Sequence, residues 1–303
     1  AYNASLTRST PTALSVARSS LAGAPVGFYA LFAGGNTNGH MSNAVDAYNA
    51  SLTRSTPTAL SVARDNLAGA LVGSYALFAG GYEGSSDYSN VVDAYNTSLT
   101  RSTPTALSTA RSRLAGASVG DYALFAGGYT SSSNSSNVVD AYNASLTRST
   151  PTALSVARSS LAGASVGDYA LFAGGYGGYT GGNMSNVIDV YNTSLTRSTP
   201  TALLTARYLL AGTSIGSYAL FAGGYVGNGN FSNVVDAYNT SLTRFTSTAL
   251  SVARSSLAGA PVGSYALFAG GGGDNGGSDV VDAYSLIVKA YIPVTQGSKY
   301  KFT

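Results

Sequence analysis

Tyr122-Ala-Leu-Phe-Ala-Gly-Gly-Tyr129 is an apolar run that ends in a glycine pair, and it recurs along the chain. Versions of it begin at Tyr29, Tyr75, Tyr169, Tyr218 and Tyr265. A second landmark, the tyrosine of an Ala-Tyr-Asn-like segment, falls at Tyr2, Tyr48, Tyr95, Tyr142, Tyr191, Tyr238 and Tyr284, with spacings of 46, 47, 47, 49, 47 and 46. A fixed period of this length means a repeat architecture in which no unit buries its apolar surface alone. The distance from the Asp before each tyrosine to the second Gly of the next pair is constant, as from Asp93 to Gly128 or Asp140 to Gly175. All length variation therefore lies in one loop per unit, between the glycine pair and the Asp.

Each unit reads as four strands. Residues 114–119, Leu-Ala-Gly-Ala-Ser-Val, carry little bulk, which suits an innermost strand at a crowded axis. Gly120-Asp121 reads as a type II′ hairpin turn. The second strand, Tyr122 to Ala126, is apolar on both faces, as expected of a strand between two neighbouring sheets. The glycine pair turns the chain sharply, the variable loop follows, and residues 137–142 supply a third strand rich in β-formers. Asn143-Ala-Ser turns into a fourth strand, residues 146–150, and Pro151 marks it as outermost because proline donates no ladder hydrogen bond. Four strands in about 47 residues match a β-propeller blade.

Counting the strands gives six blades. The N-terminus supplies a fourth strand, residues 6–10, with no first strand before it, while the last unit lacks a fourth. The expected architecture is an all-β, six-bladed propeller over residues 1–284, its last blade completed by residues 2–10 and its ring closed by that N-terminal strand. Residues 285–303 fall outside the repeat, as a β extension, a joint for assembly or the start of a following domain; residues 286–291 compete for the closing position.

The Gly-Gly pair, the hydrophobic-hydrophobic-Asp-x-Tyr segment and the Arg ahead of each inner strand resemble the kelch repeat of kelch β-propellers. The resemblance covers residues 1–284. The kelch pattern carries a Trp seven residues after the Tyr, whereas this chain has none and places Ser9, Ser55, Ser102, Ser149, Ser198 and Phe245 there. A vacated Trp site would cost about 3–5 kcal/mol per blade unless something refills it or the blades pack differently. Kelch propellers include binding modules, oxidases and a sugar isomerase, so the resemblance implies a fold and leaves the function to the site.

Composition narrows the function classes. The 16 Lys and Arg against 13 Asp and Glu give only +3, and twelve of the basic residues are Arg at fixed repeat positions, so no basic face for nucleic acid is expected. There is no Cys for a disulfide, thiolate zinc site or nucleophile. No apolar run reaches the roughly 18 residues of a membrane-spanning helix. The chain starts within a repeat and without Met, which reads as a processed product or fragment.

Two Arg series repeat once per unit. Arg18, Arg64, Arg111, Arg158, Arg207 and Arg254 are expected to pair with the Asp of Val-Val-Asp or with backbone carbonyls rather than to ring an anion. Arg8, Arg54, Arg101, Arg148, Arg197 and Arg244 are expected on the edge strand, where charge discourages aggregation. The Asn-x-Ser sequons at Asn3, Asn49, Asn96, Asn143, Asn192 and Asn239, with others at Asn134, Asn183 and Asn230, read first as turn residues. His40 is the only histidine, so neither a copper site nor a His-dependent triad has partners. Glu83 with Asp87, and Asp274 with Asn275 and Asp279, lie in Gly-rich loops without a recognised acid-base or calcium spacing. No cofactor and no catalytic or metal residue is expected.

The variable loops, 36–45, 82–92, 129–139, 176–188, 225–235 and 272–281, are rich in Tyr, Ser, Gly and Asn. That mixture sets rigid aromatic anchors among adaptable polar groups. The expected binding residues are His40, Tyr82, Tyr88, Tyr129, Tyr176, Tyr179, Tyr225 and Phe231, on one face of the propeller. The function expected is non-enzymatic recognition of a surface glycan or protein by an extracellular, cell-surface or virion propeller. The alternatives are a structural bead of a longer fibre and a kelch-type sugar-modifying enzyme.

Overall fold

The computed structural model describes residues 1–130, 134–178, 183–274 and 276–286. It is all-β, with six blades arranged as a β-propeller and no helix among the described residues. In the third blade the strands are Ala115–Val119, Tyr122–Ala126, Val139–Asn143 and Arg148–Ser149, from the axis outward and antiparallel throughout. The register runs Ala115 to Ala126 and Val119 to Tyr122, then Ala126 to Val139 and Tyr122 to Asn143. Gly120 takes φ +50°, the positive angle that the tight hairpin turn requires.

Side-chain alternation explains why the second strand is apolar throughout. Leu124 and Ala126 join Ala115, Ala117, Val119, Val139 and Ala141 in a cluster against Ala170, Phe172 and Tyr191 of the fourth blade. Ala123, Phe125 and Tyr142 point the other way, into the cluster shared with the second blade. Phe125 meets Tyr142 edge-on at 6.1 Å. Five such inter-blade cores hold the structure together, each worth several residues at about 1.5–3 kcal/mol per large side chain buried. At the axis the innermost strands touch backbone to backbone: a Cβ on Gly116 would collide with the Gly69 carbonyl oxygen. This is why that strand carries small residues.

Each blade is clamped by one carboxylate. Asp140, fully buried, receives Arg111 Nη2, Arg148 Nη1 at 2.9 Å and the Ser108 amide at 3.1 Å. Arg111 is itself fully buried and also donates to the carbonyls of Phe125, Gly127 and Val138. Burial pushes its pKa down, and Asp140 opposes that shift. The arrangement recurs as Arg64 and Arg101 on Asp93, Arg158 and Arg197 on Asp189, and Arg207 and Arg244 on Asp236. Both Arg series are thus structural, the outer one through ion pairs as well as charge on an edge. The sequon asparagines also serve the fold, since Asn143 Oδ1 accepts from the amides of Ser145 and Thr147 at 3.0 and 2.9 Å.

The Trp-equivalent position leaves no void. Ser55, Ser102, Ser149 and Ser198 are exposed on the outer strand, and Phe245, 46% exposed, leans on Tyr218 at 6.3 Å. The inter-blade space is filled instead by the Phe and Tyr pairs of the second and third strands.

The N-terminal closure differs from expectation. Five sheets have four strands, but the sixth has three: Ala258–Val262, Tyr265–Ala269 and Val281–Ser285. Among the described residues, 6–10 do not pair with the third strand of that blade. Tyr2 bridges Arg8 instead, and the Ala1 ammonium donates to Ser9 O at 2.7 Å, making a separate hairpin. Ala4 of this hairpin sits 3.0 Å from where a Cβ on Gly263 would be, just as Thr97 packs on Gly27 and Thr240 on Gly167. In those cases the contact comes from the outer turn of the following blade. The N-terminal hairpin therefore stands one place beyond the sixth blade, which is why it cannot be that blade's own fourth strand.

Candidate functional site

The loop after each glycine pair rises from the same face as the crossings between blades, because the two are tied together at their base. Tyr82 bridges Asp65, Tyr129 bridges Ser112, Tyr176 bridges Ser159 and Tyr225 bridges Tyr208. Short two-stranded hairpins then build on that base, including Tyr82–Gly84 with Asp87–Tyr88 and Tyr225–Gly227 with Asn230–Phe231. A repeated anchor with a variable tip places divergent side chains around one mouth.

Within it a cavity of about 250 Å³ lies between the second and third blades, lined by Asn66, Tyr82, Ser86, Tyr88, Ser112, Arg113 and Tyr129. Tyr82 and Tyr88 meet edge-on at 5.6 Å. The Tyr82 hydroxyl accepts from the Ser86 amide at 3.1 Å, which fixes the loop tip. Across the cavity the Arg113 guanidinium stands 5.9 Å from the Tyr129 ring centre, within the range of a cation-π contact. Arg113 also borders the axial opening, a space of about 480 Å³ whose rim carries Ser20, Asn66, Arg113, Ser160, Leu209 and Ser256. Among the described residues it is the single charged one in that ring. The Asp65 carboxylate, behind it and buried, accepts from Asn66 Nδ2 at 2.8 Å and Asn36 Nδ2 at 3.4 Å.

The aromatic surface continues around the face. Tyr176 contacts Tyr208 at 5.2 Å, Tyr208 contacts Tyr225 at 5.4 Å, and Tyr225 contacts Phe231 at 5.6 Å. Burial and the phenols of Tyr225, Tyr176 and Tyr129 hold the Tyr208 hydroxyl above its ordinary pKa, with Arg113 opposing. Loops are cross-bonded: Ser135 Oγ donates to Tyr176 O at 2.9 Å and accepts from the Gly178 amide at 3.1 Å. The arc is thus preorganised, and its half-buried rings present faces suited to stacking.

Of the residues expected from sequence, Tyr82, Tyr88 and Tyr129 line the cavity, and Tyr176, Tyr225 and Phe231 form the arc. His40 is exposed at the tip of the first blade's loop, paired with Thr37 and away from the cavity lining. Tyr179 lies outside the described residues. Sequence reasoning missed Asn66, Arg113 and Tyr208. Their signal was a departure from Arg-Ser-Ser-Leu ahead of the inner strand, which reads Arg64-Asp-Asn-Leu67, Arg111-Ser-Arg-Leu114 and Arg207-Tyr-Leu-Leu210. Among the described residues no three His, Cys, Asp or Glu are grouped as metal ligands would be.

Searched against family models and curated proteins, the chain matches none. Among solved structures it matches 412 chains. One of them, YjhT, superposes with a TM-score of 0.73 at 12% identity, covering 91% of this chain and 97% of that one. At that identity the likeness establishes the propeller fold. No helix among the described residues is long and apolar enough to cross a membrane.

Proposed function

We propose that this propeller is a non-catalytic recognition module that binds a surface glycan or protein through the mouth between its second and third blades. The observation that carries the reading is convergence. The repeat is nearly invariant, and three of its departures, Asn66, Tyr88 and Arg113, meet two of its recurring tyrosines, Tyr82 and Tyr129, in one cavity. Aromatic faces stack on the apolar faces of sugar rings or on apolar side chains, and a guanidinium fork adds directional donors to hydroxyl, carbonyl or carboxylate oxygens. The rings are held by neighbouring loops before any ligand arrives, which lowers the entropic cost of binding.

A glycan array and a panel of candidate surface proteins, probed with the intact chain, test this. Tyr88→Ala and Arg113→Ala should each weaken an identified interaction by about tenfold or more, as expected of central anchor residues. Melting should be unchanged, because both side chains lie outside the inter-blade cores. Undiminished binding by both variants would overturn the assignment.

A further inference from the structure

We infer that the seam between the sixth and first blades is a docking site for the inner hairpin of one further copy of this repeat, and that the N-terminal hairpin is the outer half of that seventh unit. Three sets of contacts repeat from blade to blade and stop at this seam. Gly35 N donates to Arg64 O at 2.9 Å, and the same bond runs from Gly224 to Arg254, but among the described residues Gly271 makes none to Arg18. Asn66 N donates to Ser20 O at 3.0 Å and the series continues to Ser256, with no bond from Ser20 back to Ser256. Gly69, Gly116, Gly163, Gly212 and Gly259 each abut the preceding glycine, whereas Gly23 has no such neighbour among the described residues.

The two faces left at the seam are those that make an inter-blade core elsewhere. Ala258 and Ala260 of the sixth blade are exposed and Val262 is half-buried, while their counterparts Ala115, Ala117 and Val119 are buried. On the first blade Ala30 is exposed and Phe32 half-buried, while Ala76 and Phe78 are fully buried. What covers such faces in the other five interfaces is always the same strand pair of this repeat. The outer place is already taken by the N-terminal hairpin, docked to the sixth blade through Ala4 on Gly263 and to the first through Thr12 O, which accepts from the Tyr48 hydroxyl at 2.7 Å. Among the described residues, what that position lacks is the two inner strands.

Chemistry at the axis fits the same occupant. In the middle blades a serine hydroxyl bonds the preceding blade, as Ser165 Oγ does to Ser118 O at 2.6 Å. Pro261 ends this series with a carbonyl able to accept such a bond, and Pro25 begins it without an N–H to be satisfied. An Asp lies eight residues before each outer Arg from Arg54 to Arg244, as Asp93 before Arg101, and Arg8 makes no ion pair with Asp282. An inner unit ending in Val-Val-Asp, joined ahead of Ala1, would place that Asp eight residues before Arg8.

The test joins residues 105–140 ahead of Ala1 and compares melting and hydrogen exchange with those of the original chain. The extended protein should melt higher, and exchange in Tyr265–Ala269 and Val281–Ser285 should slow. Ala260→Glu should abolish that gain while leaving melting of the original chain unchanged. An extension that stays protease-sensitive without shifting the melting midpoint would overturn the inference. So would a lowered midpoint for Ala260→Glu in the original chain, because it would show the first blade already covering the sixth in solution.

Discussion

Replacing Asp140 with Asn keeps the shape of the side chain and removes the charge on which two arginines converge. Arg111 is fully buried and has no route to water, so it would keep its hydrogen bonds to the carbonyls of Phe125, Gly127 and Val138 but lose its counter-ion. Removing one partner of a buried ion pair costs about 3–5 kcal/mol. Arg148, whose side chain is 25% exposed, adds about 0–1 kcal/mol more. The sixth blade provides the internal control. Asp282 is 16% exposed and, among the described residues, pairs with Arg254 alone and has no outer Arg, so Asp282→Asn should cost only about 1–3 kcal/mol. Urea unfolding followed by tyrosine fluorescence, with exchange measured blade by blade because repeat arrays can unfold in parts, would rank the two variants. The reasoning fails if Asp140→Asn costs less than about 1 kcal/mol, or if the two substitutions are equally damaging.

Gly116→Ala should be severely destabilising, because its Cβ would enter the Gly69 carbonyl oxygen, whereas Gly23→Ala meets nothing closer than 3.8 Å and should be close to neutral. Thermal melting of the pair decides it, and equal midpoints would show that the innermost strands are not packed backbone to backbone. The phenols of Tyr95, Tyr142, Tyr191 and Tyr238 are raised above their ordinary value by burial first and by the neighbouring Asp second, and Tyr284, less buried, is pushed up to about 12. A raised folded-state pKa favours the neutral phenol, so this stabilisation is complete below about pH 10, the unfolded value, and is lost as pH rises through the folded values. Tyrosinate absorbance should therefore show these buried phenols ionising only as the fold is lost; their ionisation with the fold intact would contradict it.

Much of this protein was legible because it is said six times. The fixed interval from Asp to glycine pair located the strands, the apolar second strand implied neighbours on both faces, and the small residues of the inner strand implied a crowded axis. The tyrosines of the loops could be named as a set for the same reason, since Tyr82, Tyr129, Tyr176 and Tyr225 each follow a glycine pair. The Arg-Ser-Ser-Leu departures carried equal information, but only folding shows that Arg113, sixteen positions before Tyr129 in sequence, stands over its ring. The empty Trp position could not be judged from sequence, because its cost depended on burial, and the structure puts that position at the exposed outer edge.

The sequence by itself determined the unit: four strands, one variable loop and an inner Arg set to pair with the Asp or with backbone carbonyls, each dictated by local periodicity and composition. The way the units meet end to end was decided only in the tertiary structure. A strand count makes residues 6–10 the missing fourth strand of the last blade, and nothing local contradicts that. The angle between blades, set by how Phe and Tyr side chains fill each inter-blade core, accumulates around the ring. It leaves the N-terminal hairpin one place further on, with Ala4 against Gly263.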